Sequence, residues 1–391
     1  MQPNTKLTYK EGAMKSLQQK LIITKLCNSK RDSDPSFALN LPHEIGLKLT
    51  NRCNLRCTHC YQWNDDGYHH NYENEELKKA GDLSITIVED ILKRTESAKS
   101  VLYVWGGEPM VYAHWNEFVN LLERYPRQVV ICTNGMFIDK HIESLTRISD
   151  NLTMLVSVEG LEQEHNKIRG DNTFVKIINN VKKLLALQKE GVYKGTTSVA
   201  GVISDDLIPH LFECCKYYED LGVDTLHINY PWFINESVAT DMDKFFEHNF
   251  NWLGAPTDSP YSWHSYNFHL NSDLINSLIS QLEQIQSRNW NIRIRFQPNL
   301  SITELKGYLE GSAAPVQNMK RCLAISNRMD IMPNGKIVSC KHFPEFVLGD
   351  LKKNTLEEIW HGENFQKFRQ TLNNSLMPIC TKCGLLYRNG I

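Results

Sequence analysis

Gly46-Leu-Lys-Leu-Thr-Asn-Arg-Cys53-Asn-Leu-Arg-Cys57-Thr-His-Cys60-Tyr61 carries three cysteines at C-x3-C-x2-C spacing. The alternation of Ile45, Leu47 and Leu49 just before them reads as a strand, so the cysteines lie on the loop that leaves it. A tight loop can converge three thiolates on one point. Three ligands rather than four leave one coordination position open, on a cluster iron or on zinc. The spacing alone leaves both metals open.

Outward from this stretch the chain alternates. Strands are predicted over 101–105, 129–133, 152–158, 196–203 and 224–229; between them lie a helix capped by Ser84 with apolar positions Ile85, Val88, Ile91 and Leu92, and helices over 115–124, 139–148, 173–190 and 206–221. Together with the strand before Cys53 this makes six strand–helix repeats with continuous apolar strands. Such strands pair in parallel beneath an outer layer of helices. The fold class is α/β, a partial (β/α)6 TIM-like barrel. Its chemistry is expected at the rim where the strands end. Cys53, Cys57, Cys60, Gly106, Gly107, Glu108, Asn134, Ser157, Glu159 and Asn229 all fall there. The Gly106-Gly107 pair allows a backbone to approach a ligand closely.

The chain divides into a lead-in (1–43) with a helix over 14–26, the barrel (44–230), an aromatic-rich segment (231–320) and a C-terminal unit (321–391). The third segment, with a helix over 272–286 and a strand over 291–296, is expected to cover the barrel mouth. The loop over 62–83 is long and polar, and its His69 and His70 are expected to be solvated. In the C-terminal unit, Asn334-Gly335 marks a hairpin between 328–332 and 337–340. Helices follow over 356–361 and 364–372. Cys322, Cys340, Cys380 and Cys383 form two pairs that the hairpin and the terminal loop would bring together. Four thiolates make a closed site, which zinc or a cluster satisfies on bare chemistry. Cys27, Cys132, Cys214 and Cys215 are expected to be buried small apolar residues.

In 391 residues, 43 Lys+Arg against 45 Asp+Glu give a net charge of −2, which argues against nucleic acid as a bulk electrostatic partner. No apolar run approaches the roughly 18–20 residues that span a bilayer, and the first residues lack the apolar segment of a secretory signal. Eleven cysteines in that context indicate reduced thiols and metal in a cytoplasm.

The C-x3-C-x2-C motif followed by Tyr61, after "LKLTNRCNLRC", resembles the radical S-adenosylmethionine (SAM) superfamily. The resemblance implies that Cys53, Cys57 and Cys60 hold a [4Fe-4S] cluster whose open iron chelates SAM, and that Tyr61 lies against the adenine. Gly106-Gly107-Glu108-Pro109 resembles the family's motif for the SAM amino group, with Glu108 as acceptor. Asn134, on the same rim, is expected among the cofactor-binding residues. The stretch from Ser157-Val-Glu159-Gly160 to Arg169-Gly170 is similar to the family's ribose-binding and carboxylate-binding region. Ser157 and Glu159 would meet the ribose, with Glu where Asp is usual, and Arg169 the SAM carboxylate. Cys322, Cys340, Cys380 and Cys383 resemble the SPASM domain in its shortened, twitch form. This implies a second, auxiliary [4Fe-4S] cluster without a free iron, suited to electron transfer or structural support. Such an enzyme cleaves SAM to a 5′-deoxyadenosyl radical that takes a substrate hydrogen. The implied substrate is a peptide or protein side chain to be oxidised, crosslinked or epimerised, or alternatively a small molecule such as a sugar or aminocyclitol. The implied electron donor is a flavodoxin or ferredoxin. A non-catalytic zinc scaffold is the alternative of another class.

Overall fold

A computed structural model describes residues 2–6, 11–69, 81–254, 260–311, 318–373 and 375–391. Seven parallel strands follow one another: β1 (Glu44–Lys48), β2 (Val101–Trp105), β3 (Val129–Thr133), β4 (Leu152–Ser157), β5 (Thr196–Val202), β6 (Thr225–Asn229) and β7 (Arg293–Gln297). The first six are the predicted repeats. The seventh comes from the segment expected only to cover the barrel mouth, which therefore also extends the sheet.

The C-terminal unit adds β8 (Arg328–Ile331), β9 (Lys336–Val338) and β10 (Val347–Asp350). β8 pairs with β1 in parallel, so the sheet runs β10-β9-β8-β1-β2-β3-β4-β5-β6-β7. β8 and β9 form the predicted antiparallel hairpin, with Asp330 opposite Val338. Its turn needs the left-handed conformation that Gly335 adopts at φ 82°. One sheet thus carries the three-cysteine loop after β1 and Cys340 two residues after β9.

Alternation along the strands decides which side chains face where. Leu102, Val104, Val129, Ile131, Met154 and Val156 are buried in the common core beneath the outer helices. The alternate positions Tyr103, Cys132, Ser157, His227 and Arg295 are only half-buried. Their face of the sheet turns to the inside of the barrel. The sequence pattern suggested strands apolar on both faces; the inward face is instead polar and partly open.

The lead-in forms α1 (Glu11–Ser33), longer than predicted. Its Arg31 is fully buried and donates to the carbonyls of Cys322 (2.9 Å), Arg369 (3.0 Å) and Leu372 (3.2 Å). That contact anchors the helix on the C-terminal unit, and Cys27 is buried within the same packing. Asn4 and Thr5 pair with Asn289 and Trp290, and the Gln2 amide exchanges two hydrogen bonds with the Phe296 main chain. These contacts cover backbone at the β7 edge that an open sheet would leave unpaired. Among the described residues no helix is long and apolar enough to cross a membrane.

Candidate active site

The three-cysteine loop leaves β1 and is fastened from several sides. The Leu55 amide donates to Cys53 Sγ (3.5 Å), Cys60 N to Cys57 O (3.0 Å) and Thr58 N to Ile168 O (3.0 Å). Trp63 Nε1 donates to Asn51 O (3.1 Å), and Asn134 Nδ2 to Asn54 Oδ1 (2.8 Å). The thiols lie close enough for each charge to act on the others. Burial pushes the Cys53 thiol up to about 12, and burial pushes Cys57 to about 11 against the pull of Arg169. Thiols so placed ionise only if a positive centre joins them.

The end of β2 explains the glycine pair. Gly107 N donates to Thr50 O (2.9 Å) and Glu108 N to Arg52 O (2.8 Å), so this segment runs against the start of the cysteine loop. A Cβ on Gly106 would lie 2.5 Å from Thr50 O, and one on Gly107 2.2 Å from Arg52 O. The glycines are required by the loop itself.

Glu108 is fully buried. Its Oε1 accepts from Thr133 Oγ1 (2.7 Å) and Met110 N (3.0 Å), and its Oε2 from Asn134 N (2.7 Å). Both oxygens are engaged within the protein, where the sequence suggested an acceptor for a ligand amine. Glu159 and Arg169, expected on different parts of SAM, are brought together. Glu159 Oε1 accepts from Arg169 Nη2 (2.5 Å) and Nε (3.1 Å) and faces His59 Nε2 (3.1 Å), while Oε2 accepts from Val202 N (2.6 Å). Burial alone would raise the Glu159 pKa, but Arg169 and His59 outweigh it and hold the carboxyl well below the usual range. Among the described residues Arg169 Nη1 keeps no protein partner. Ser157 is half-buried on the inner face at the end of β4.

Tyr61, expected against an adenine, stacks on Tyr266 with ring centroids 4.4 Å apart and planes at 14°. His59 meets Phe268 edge-on at 5.6 Å. Both partners come from the aromatic-rich segment, which does reach over the cysteine loop. Tyr61 also lies 6.3 Å from the ring of His342, which sits 4.3 Å from Trp232. His342 follows Cys340 by two residues, as Tyr61 follows Cys60 by one. One layer of rings therefore joins the two cysteine sites. His59, Tyr266, Phe268, Trp232 and His342 had no motif to announce them. His69 corrects the sequence expectation: it is 7% exposed, its Nε2 3.3 Å from buried Lys48 Nζ. Burial draws Lys48 down to about 7 and, with the Lys48 charge beside it, His69 to about 2. His70 lies outside the described residues. Cys214 and Cys215 are buried as expected. Cys132 is half-buried on the inner face, where its charge would act on Tyr103 and Tyr61.

The four C-terminal thiols also converge: Cys322, Cys340 and Cys383 all act on Cys380. Burial raises each of the four. A cubane takes one thiolate per iron, so three thiols leave one iron open and four leave none. Buried polar atoms without a partner cluster between the sets: His59 Nδ1, Gln62 Oε1, Trp105 Nε1, Trp232 Nε1 and His342 Nδ1. They suit a polar occupant.

Comparison with known proteins agrees. The family model described as "Radical SAM superfamily" matches residues 47–213, and that of SPASM, "Iron-sulfur cluster-binding domain", matches residues 322–384. The chain belongs to the radical SAM superfamily. It is 23% identical over 358 residues to the tungsten-containing aldehyde ferredoxin oxidoreductase cofactor-modifying protein of Pyrococcus furiosus, covering 87% of this chain and 86% of that one. It is 21% identical over 352 residues to the serine-type anaerobic sulfatase-maturating enzyme of Bacteroides thetaiotaomicron, covering 86% and 78%. In fold it is similar to Streptococcus suis SuiB bound to precursor peptide SuiA, with a TM-score of 0.57 at 15% identity over 92% of this chain and 71% of that one. As a radical SAM enzyme with a SPASM-type domain, the chain takes SAM, a SAM-binding [4Fe-4S] cluster and an auxiliary cluster.

Proposed function

We propose that this radical SAM enzyme modifies a side chain of a peptide or protein by removing a hydrogen atom from it. The observation that carries the proposal is the single aromatic layer between the two cysteine sites. Relatives named as sulfatase-maturating and a structural neighbour holding a precursor peptide support the substrate class. When bound and reduced, the cluster on Cys53, Cys57 and Cys60 supplies the electron that splits SAM into methionine and a 5′-deoxyadenosyl radical.

The chain's own residues position the reactants. The carbonyl groups of the Gly106–Gly107 backbone receive the SAM amino group, because the Glu108 carboxylate is fully buried and fastened to Thr133, Met110 and Asn134. Arg169, held by Glu159, offers its remaining Nη1 to the SAM carboxylate. Ser157 takes the ribose, since Glu159 is buried and held by Arg169, His59 and Val202 N. Asn134 holds the cysteine loop through Asn54. Tyr61 and Tyr266 close the adenine side and exclude water. Cys322, Cys340, Cys380 and Cys383 would hold the auxiliary cluster, which would supply electron exchange with an oxidised substrate. A flavodoxin or ferredoxin serves as external donor, and the chain works in the cytoplasm. The domain division follows the sequence reading, except that residues 231–320 both cover the mouth and complete the sheet.

The test is to incubate reduced, cluster-loaded enzyme with SAM and peptides encoded beside its gene, then weigh the products. Loss of two hydrogens indicates oxidation or crosslinking. Unchanged mass with solvent deuterium uptake indicates epimerisation. A second reading, a small-molecule substrate, is favoured by the Pyrococcus furiosus relative, named as cofactor-modifying. In the same assay it predicts 5′-deoxyadenosine with no change in any peptide.

A further inference from the structure

Gln62 leaves the cysteine loop two residues after Cys60, and the segment behind it pins its main chain. Trp63 N and Asn64 N donate to Cys60 O at 3.2 and 3.0 Å, Tyr68 N donates to Tyr61 O at 3.2 Å, and His69 N donates to Gln62 O at 2.8 Å. Gly67 lies so close that a Cβ there would stand 2.5 Å from the Gln62 carbonyl carbon. Gln62 is 6% exposed, and its side chain reaches the end of β2, where Nε2 donates to the Gly106 carbonyl oxygen at 3.4 Å. That contact orients the amide, because the flipped form would set Oε1 against a carbonyl, acceptor against acceptor.

Oε1 is therefore the branch left over. It is buried, and among the described residues no donor reaches it. The buried ammonium of Lys48 faces His69 Nε2 instead, and Trp105 Nε1, on the residue before Gly106, does not meet it. A buried acceptor without a donor is destabilising until a donor arrives. Amide geometry holds Oε1 about 2.2 Å from Nε2, so it lies no more than about 5.7 Å from Gly106 O. One nitrogen at an ordinary hydrogen-bond distance of about 2.9 Å can reach both oxygens at once. An amino group carries N–H donors for two such acceptors. The Glu108 carboxylate offers it none, with both oxygens engaged by Thr133, Met110 and Asn134.

We propose that Gln62 Oε1 is an acceptor for the amino group of SAM, acting with the Gly106 carbonyl in the role that the sequence motif suggests for Glu108. The identity of the donor rests on placing the SAM amino group at the glycine pair; the buried acceptor itself stands without it. One side chain then joins the loop that carries Cys60 to the end of β2 and reads the amine that arrives between them.

Cluster-loaded enzyme is dialysed to equilibrium against SAM and against desamino-SAM, which lacks only the amino group. The unchanged chain is compared with Gln62→Met, a replacement of similar volume that has no oxygen acceptor. Bound iron and melting temperature are measured on each preparation. The unchanged chain should prefer SAM. Gln62→Met should weaken SAM binding about fivefold to tenfold, the scale of one hydrogen bond, and desamino-SAM binding by less than about twofold. A preference for SAM that survives Gln62→Met in full overturns the proposal and leaves the amino group at the glycine pair. An equal loss for both ligands also overturns it and gives Oε1 a structural or water-bound role. Equal binding of the two ligands by the unchanged chain removes the glycine placement and the proposal with it. Should Gln62→Met fail to load iron, Gln62→Asn, which withdraws the oxygen by one methylene, is judged by the same comparison and the same outcomes.

Discussion

Glu108→Gln separates a rim fastener from a ligand contact. The carboxylate accepts three hydrogen bonds, two on Oε1 and one on Oε2. An amide keeps one oxygen. If that oxygen faces Thr133 and Met110, the new NH2 points at the Asn134 N–H, donor against donor. Losing one charge-assisted bond and stranding a buried N–H costs about 3–4 kcal/mol. Part of this is returned, because burial, the largest influence on Glu108, raises its carboxyl pKa and a neutral amide escapes that penalty. The balance is about 2 kcal/mol, enough to lower the anaerobic melting temperature by several degrees. SAM affinity, measured by equilibrium dialysis on the cluster-loaded variant, should fall by less than about threefold. An unchanged melting temperature with SAM affinity reduced tenfold or more would refute the reasoning and put the carboxylate on the ligand.

Gly107→Ala places a Cβ 2.2 Å from Arg52 O, and backbone cannot yield as a side-chain tip can. Loop displacement should cost about 3 kcal/mol or more and leave the first site short of iron, read by iron analysis after reconstitution. Glu159→Gln should destabilise the cluster-free protein by about 3–5 kcal/mol at pH 7, because Arg169 is left buried without its partner. The folded pKa of Glu159 lies below its unfolded value near about 4.3, so its contribution is complete above that pH and fades as pH falls through the folded pKa. The urea-unfolding deficit should hold steady from pH 8 to about pH 5 and shrink below about pH 4. Cys380→Ser should cut bound iron from about eight atoms to about four per chain while 5′-deoxyadenosine formation without substrate persists; loss of all iron would show that the two sites do not load independently.

The repeats were legible because each strand is a short apolar run closed by Gly, Asn or Glu at the rim, and the cysteine spacings marked the two sets of thiols, three on the loop after β1 and four in the C-terminal unit. The hairpin was legible in Asn334-Gly335. What escaped the sequence depends on long-range closure. β7 reads as an isolated strand until β6 lies beside it, and β8 joins β1 across a gap of roughly 280 residues. The partners of Tyr61 and His59 are aromatic residues about 200 positions downstream, with no spacing to mark them. Glu108 and Glu159 were recognisable as carboxylates at the strand ends, but their bonding within the protein was not, since carboxylates that serve a ligand and those that fasten a loop share the same sequence. His69 reads as a solvated loop residue because nothing local shows that Lys48, on the neighbouring strand, is buried against it.

The most direct test of the account is 5′-deoxyadenosine production by the anaerobically reconstituted, reduced enzyme given SAM. The account predicts its formation, and its loss when Cys53, Cys57 or Cys60 is replaced by alanine. Two fully loaded clusters with bound SAM and no 5′-deoxyadenosine under strong reduction would contradict it.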